Sequence, residues 1–226
     1  VYYAMELIPG RSLATLLRER RPTLSEAALL VEKVARALHH AHRHGVIHRD
    51  VKPDNIVIRE DGEPQVMDFG LAREVGGGDR LSVTGEVMGT PAYMAPEQAR
   101  GLPGATDART DVYALGAVLY EILAGRPVRT GGTVLEMIEK VVLGDVVPPR
   151  RLRSDLPPDL ETVCMKCLEV EPSNRYATAE AVAEDLARFQ RGEPVLARPV
   201  PAAERLVRWV RRRRQVVLPL AAAVLI

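Results

Sequence analysis

His48-Arg49-Asp50-Val51-Lys52-Pro53-Asp54-Asn55 packs an acid, a lysine and an amide into one short segment. Phosphoryl transfer asks for that set: a carboxylate to orient the attacking hydroxyl and accept its proton, a cation beside the moving phosphoryl group, and oxygen ligands for magnesium. Asp50, Lys52 and Asn55 supply one of each. Asp68, which opens Asp68-Phe69-Gly70, offers a second hard oxygen ligand, and Gly70 permits a backbone that can change conformation. Two magnesium ligands can thus converge.

Side chains of this kind need stiff neighbours, and the flanking sequence provides them. Val46-Ile47, Ile56-Val57-Ile58 and Gln65-Val66-Met67 read as short strands, the last two joined through Asp61-Gly62, a favoured hairpin turn. Upstream, Val1 to Met5 reads as a strand, broken by Pro9-Gly10 before Ser12 caps a helix bearing Leu13, Leu16 and Leu17. The next helix starts at Thr23-x-x-Glu26 or at Ser25, repeats Leu30, Val34, Leu38 and Ala41 along one face, and stops at Gly45. Downstream, a long loop rich in Gly, Ser and Thr leads to a helix from Thr110 to Ala124, closed by Gly125. Val112, Leu115, Ala117, Val118, Leu119, Ile122 and Leu123 leave that helix almost no polar face, so it should be the buried axis of the body. Further helices are expected at Val134 to Leu143, Leu160 to Leu168 and Ala179 to Gln190, before a Pro-rich stretch from Pro194 to Pro201. The expected class is α+β, mainly helical, built round a buried central helix, and 226 residues suit one main core.

The H-R-D-x-K-x-x-N run from His48 to Asn55, Asp68-Phe69-Gly70 and Ala95-Pro96-Glu97, in that order, resemble the protein kinase family. The resemblance covers about residues 1 to 190 and implies the C-terminal lobe of a two-lobed kinase, with the N-terminal lobe missing. It implies that Asp50 is the catalytic base, that Lys52 contacts the transferring phosphate and marks the Ser/Thr branch, and that Asn55 and Asp68 bind Mg2+. Arg49 would meet a phosphate on the activation segment, with Ser82 and Thr84 as candidate acceptors and Thr84 the first choice. Thr90 would bridge Asp50 and Lys52. Met5-Glu6-Leu7-Ile8 looks like the gatekeeper and hinge, where the Glu6 carbonyl and the Ile8 amide would hold the adenine of ATP above Val57. Structural roles are implied for His48, Phe69 and Gly70, for a partly buried ion pair of Glu97 with Arg175, and for Asp111, which would hold the backbone of the catalytic loop. The implied partners are ATP and proteins presenting Ser or Thr hydroxyls, with a homodimer also carried as a candidate.

The segment Met88-Gly89-Thr90-Pro91-Ala92-Tyr93-Met94-Ala95-Pro96-Glu97-Gln98-Ala99 looks like membrane-bound bacterial kinases of this family. No G-x-G-x-x-G, strand lysine or partnering helix glutamate precedes Val1, so the fragment is not expected to phosphorylate efficiently by itself. The rival reading is a non-catalytic, pseudokinase-like signalling scaffold.

Charge excludes another class. Six of the 31 basic residues but only one of the 30 acidic ones lie after residue 203, leaving 25 against 29 before it, a balance near −4. The main body is therefore not a basic nucleic-acid binder. Cys164 and Cys167 form a lone C-x-x-C with Leu160, Val163 and Leu168 on a helical face, which reads as packing, since a zinc site needs four ligands. His39, His40, His42 and His44 crowd a helix end, where they can cap carbonyls. Gly76-Gly77-Gly78 lacks the strand, lysine and helix of a phosphate-binding loop and reads as a flexible stretch.

At the other end, Arg211 to Arg214 precede Val216 to Ile226, which is apolar throughout but shorter than the roughly 20 residues of a span. An amputated transmembrane helix is favoured over a greasy tail, with Trp209 as an interfacial anchor. The expected organisation is then 1–190 kinase lobe, 191–204 Pro-rich linker, 205–215 basic juxtamembrane segment and 216–226 start of a membrane span. The protein would be single-pass, with the kinase domain on the cytoplasmic side.

Overall fold

The computed structural model describes residues 7–69, 91–101 and 105–197. Helix α1 (Leu13–Glu19) starts at Ser12, whose hydroxyl accepts from the Thr15 amide. Helix α2 (Leu24–Arg43) starts at Thr23 with a reciprocal capping box to Glu26, which settles the choice between Thr23 and Ser25. Twenty residues at 1.5 Å each make α2 about 30 Å long, enough to cross a small domain. Its buried face is Ala27, Ala28, Val31, Val34, Ala35 and Leu38. That face packs on α4 (Ala108–Ala124) and α7 (Ala179–Gln190).

Helix α4 is the axis that its composition predicts. Every residue from Thr110 to Tyr120 is buried, and Gly125 closes the helix with φ 73°. The helix begins two residues earlier than the apolar run suggests, because the Asp107 carboxylate accepts from the Arg109 amide and caps it. Helix α6 (Pro158–Cys167) crosses α4 at Gly116, where an added Cβ would overlap the Cys167 Cβ. Cys164 and Cys167 are both free and fully buried in that crossing. Among the described residues no group of three or more His, Cys, Asp or Glu side chains could hold a metal ion.

Helix α3 (Pro96–Ala99) is a single turn, and α5 (Val134–Leu143) and α7 have the bounds read from the sequence. The range expected for α6 shifts toward the N-terminus, since Pro158 fits the first turn of a helix and Leu168 already caps the end.

The sheet has three antiparallel strands in the order β1 (Gly10–Ser12), β2 (Ile56–Arg59) and β3 (Pro64–Val66). The β2–β3 hairpin turns at Asp61-Gly62, with Gly62 at φ 82° and the Glu63 amide donating to the Asp61 carboxylate. Strand β1 lies where Pro9-Gly10 suggested only a break. It exists through pairing with β2, and Gly10 runs so close that a Cβ would lie 2.5 Å from the Ile58 carbonyl oxygen. Val46-Ile47, expected as a strand, has no ladder partner among the described residues and leads into the loop from His48 to Asn55. Val1–Met5, Glu6, Gly70, Ser82, Thr84, Thr90 and the segment 198–226 lie outside the described residues. Among the described residues no helix is long and apolar enough to cross a membrane.

Candidate active site

The loop from His48 to Asn55 lies between the end of α2 and β2, and its shape is imposed from below by α4. Asp111, fully buried in the first turn of α4, accepts from the His48 amide at 2.8 Å and the Arg49 amide at 2.7 Å. His42 Nε2 lies 2.7 Å from the same carboxylate. An ionised carboxylate has no hydrogen to give, so His42 donates there. Three donors thus fix one buried acid, and two of them are consecutive backbone N–H groups of the loop. Arg49 sits at φ 67°, a left-handed conformation that costs a non-glycine residue about 1–2 kcal/mol. The Asp111 bonds hold it there, helped by Gln98 of α3, whose amide donates to the Arg49 carbonyl at 2.8 Å.

His48 is 2% exposed and has both ring nitrogens engaged. Nδ1 accepts from the Asp50 amide at 3.2 Å, so Nε2 carries the hydrogen and donates to the Met67 carbonyl at 2.7 Å. A ring tied on both sides to backbone is a brace between the loop and the end of β3, as the packing role anticipated. Phe69 packs against it in a tilted arrangement, with ring centroids 4.7 Å apart and the planes at 52°.

The reactive groups meet above this frame. Lys52 Nζ donates to Asp50 Oδ2 at 2.7 Å, and Asn55 Nδ2 donates to the same oxygen at 3.0 Å and to the Asp50 carbonyl at 2.8 Å. Both acceptors lie on Asp50, which fixes the Asn55 amide with its nitrogen toward Asp50, and among the described residues its oxygen makes no hydrogen bond. Asp68 follows Met67, whose amide donates to the Asn55 carbonyl at 2.8 Å. Asp68 is exposed, stands at φ 59°, and its carboxylate has no hydrogen bond or ion pair among the described residues. An amide oxygen and an unpartnered carboxylate on adjoining segments suit a hard divalent cation, so the donor set fits magnesium. Asp50, Lys52, Asn55 and Asp68 are therefore brought into one neighbourhood. Ile8 and Val57 are half-buried beside the sheet, with Val57 paired to Ser12 of β1.

Glu97 and Arg175 form the buried pair expected of them. Both carboxylate oxygens receive guanidinium hydrogens at 2.7 Å, and Thr110 adds a third bond at 2.9 Å. Burial alone would push the Glu97 carboxyl up, but the hydrogen bonds and charge of Arg175 hold it below the usual carboxylate range.

Sequence reasoning did not find His42 as a partner of Asp111, the Gln98 bridge, or Tyr93, which donates to Glu121 of α4 at 2.5 Å. Burial pushes the Tyr93 phenol up, and the Glu121 hydrogen bond adds to it; burial likewise raises the Glu121 carboxyl. That pair borders a cavity of about 370 Å³ beside the loop, lined also by Arg18 of α1, Arg21 just after it, Asp54 and Gly125. His42, read as one of four histidines crowding the end of α2, gave no separate signal. Only His44 caps a carbonyl as anticipated, with Nδ1 2.8 Å from the His40 oxygen.

Residues 1–187 match the protein kinase domain family. The serine/threonine-protein kinase PknB of Mycolicibacterium smegmatis is 41% identical over 85% of this chain, and that of Mycobacterium tuberculosis is 40% identical over the same share. A probable serine/threonine-protein kinase of Clostridium perfringens is 36% identical over 96% of the chain. The chain spans 31% of the length of each of these relatives. With a match over most of its length and relatives at this identity, the chain belongs to the protein kinase family, among kinases of the bacterial serine/threonine type.

Proposed function

We propose that the chain is the C-terminal lobe of a kinase which, in the whole protein, moves the γ-phosphoryl group of magnesium ATP to Ser or Thr hydroxyls of proteins. The observation that carries this reading is the convergence of Lys52 and Asn55 on a single oxygen of Asp50. That leaves Asp50 Oδ1 to take a hydrogen bond from an acceptor hydroxyl. As the hydroxyl oxygen bonds to the γ-phosphorus and the bond to the bridging oxygen breaks, its proton passes to Asp50. Lys52 moves between Asp50 and the phosphoryl oxygens, offsetting charge on whichever is more negative. Asn55 and Asp68 would hold magnesium, which when bound screens the phosphate charge. The Glu6 carbonyl and Ile8 amide would hold adenine, with Val57 beneath it.

Arg49 Nε is buried with no hydrogen-bond partner among the described residues, which supports its pairing with a phosphate on Ser82 or Thr84. Thr90 keeps the bridging role implied by the family and Gly70 its role as a glycine that lets the backbone change conformation, and the cavity beside Asp54 is where a substrate side chain would rest. The organisation into a lobe at 1–190, a linker at 191–204, a basic segment at 205–215 and a span from 216, with the lobe on the cytoplasmic side, belongs to the same proposal, as does homodimerisation.

The test is intact-mass spectrometry of the complete gene product after incubation with magnesium and ATP, followed by peptide mapping. Phosphate on Ser82 or Thr84 in the parent and its absence in Asp50→Asn is the expected result. Equal phosphate on both would remove Asp50 from the reaction, and no detectable ATP binding would replace catalysis with a scaffold role.

A further inference from the structure

Asp185 of α7 is 1% exposed, yet no Lys, Arg or His among the described residues forms an ion pair with it. It is satisfied by three neutral donors: the Tyr176 hydroxyl at 2.7 Å, the Leu196 amide at 2.6 Å and the Ala197 amide at 2.8 Å. Two of the three come from the segment that follows α7. That segment reverses at Gly192, whose φ of 70° lets the Gly192 and Glu193 amides close the helix on Phe189 and Arg188. The chain then doubles back, packs Val195 on the core and buries Ala197 to 1% exposure. The family match ends at residue 187, so this strap lies beyond it.

The third donor points toward the site. Tyr176, held under Lys166 Nζ at 4.3 Å from the ring centroid, adjoins Arg175 in sequence. All five guanidinium hydrogens of Arg175 are used, on the Glu97 carboxylate and on the carbonyls of Arg109, Glu169 and Val170. We propose that Glu193–Ala197 is a coupling strap: docked on Asp185, it fixes Tyr176 and with it the Arg175–Glu97 pair, so the state of the chain beyond residue 197 reaches the segment at Ala95–Gln98 that supports the catalytic loop. Undocking takes two of three hydrogen bonds from a buried carboxylate, which must then turn toward water and draw Tyr176 with it. The physical carrier is a run of hydrogen bonds from the strap through Asp185 to Tyr176, then the covalent step from Tyr176 to Arg175 and its bonds to Glu97.

The experiment is amide hydrogen exchange by mass spectrometry on the full chain, which reads the coupling whether or not the protein phosphorylates anything. Leu196→Pro removes one donor at a side chain that is 65% exposed, Leu196→Ala keeps the donor, and Asp185→Asn removes the acceptor charge. Leu196→Pro and Asp185→Asn should speed exchange at 191–197 on the order of tenfold. They should also speed it at 170–178 and 95–101, while Leu196→Ala behaves as the parent and α4 stays protected. Faster exchange confined to 191–197 would overturn the coupling. Should Asp185→Asn lose protection in α4 as well, Leu196→Pro alone decides.

Discussion

Asp50 with Lys52 and Glu97 with Arg175 are both carboxylate–cation contacts of 2.7 Å, yet they are built for opposite ends. The Asp50 and Lys52 side chains remain 38% and 18% exposed, and Asp50 keeps one oxygen uncommitted among the described residues. The Glu97 and Arg175 side chains are 6% and 0% exposed, and every hydrogen of the guanidinium has an acceptor. A pair proposed to exchange partners during a reaction stays partly exposed, with one carboxylate oxygen unused among the described residues. The other pair is buried, and its guanidinium hydrogens are all used. Distance alone does not separate the two; the count of unused donors and acceptors does.

The sharpest way to break this comparison is Arg175→Ala. Glu97 would be left buried and unpaired, and chemical denaturation should register a loss of about 3–5 kcal/mol. A loss under about 1 kcal/mol would mean the pair is as dispensable as a surface contact. Next in size is the acid response. The folded Glu97 carboxyl lies below the usual range, so its contribution is complete above the unfolded value and is lost as pH falls through the folded one. In denaturation series from neutral pH downward, the gap between the parent and Glu97→Gln should narrow with acidity, and a constant gap would place the pair's contribution elsewhere. Smallest is Asp50→Asn, which should shift stability by less than about 1 kcal/mol in the same assay. A much larger loss would show the reactive pair to be scaffold too, and the contrast would collapse.

What the sequence disclosed follows the same division. Helices α5 and α7 could be bounded to the residue because their stop and start signals are local: Thr133 with Glu136, Gly144, and Thr178. The convergence of Asp50, Lys52 and Asn55 was legible because the three lie within a few residues of one another. The left-handed backbones of Arg49 and Asp68 were not, since nothing in either residue type asks for them; tertiary hydrogen bonds impose the first, from an acid 62 residues away. His42 was misjudged for the same reason. Read within its own helix it is one basic residue among several, and only the arrival of α4 makes it a donor to Asp111. Strand β1 likewise has no propensity of its own and exists by pairing. Local signals survive a reading of the chain alone, whereas roles conferred by a distant partner do not.

The crossing of α4 and α6 makes the protein its own unfolding indicator. Cys164 and Cys167 are sealed against Gly116, and burial pushes the Cys167 thiol up to about 12, so neither presents a thiolate to an alkylating reagent while the axis is intact. Iodoacetamide uptake then counts molecules whose centre has opened, and it passes over those in which only the strap or the catalytic loop has moved.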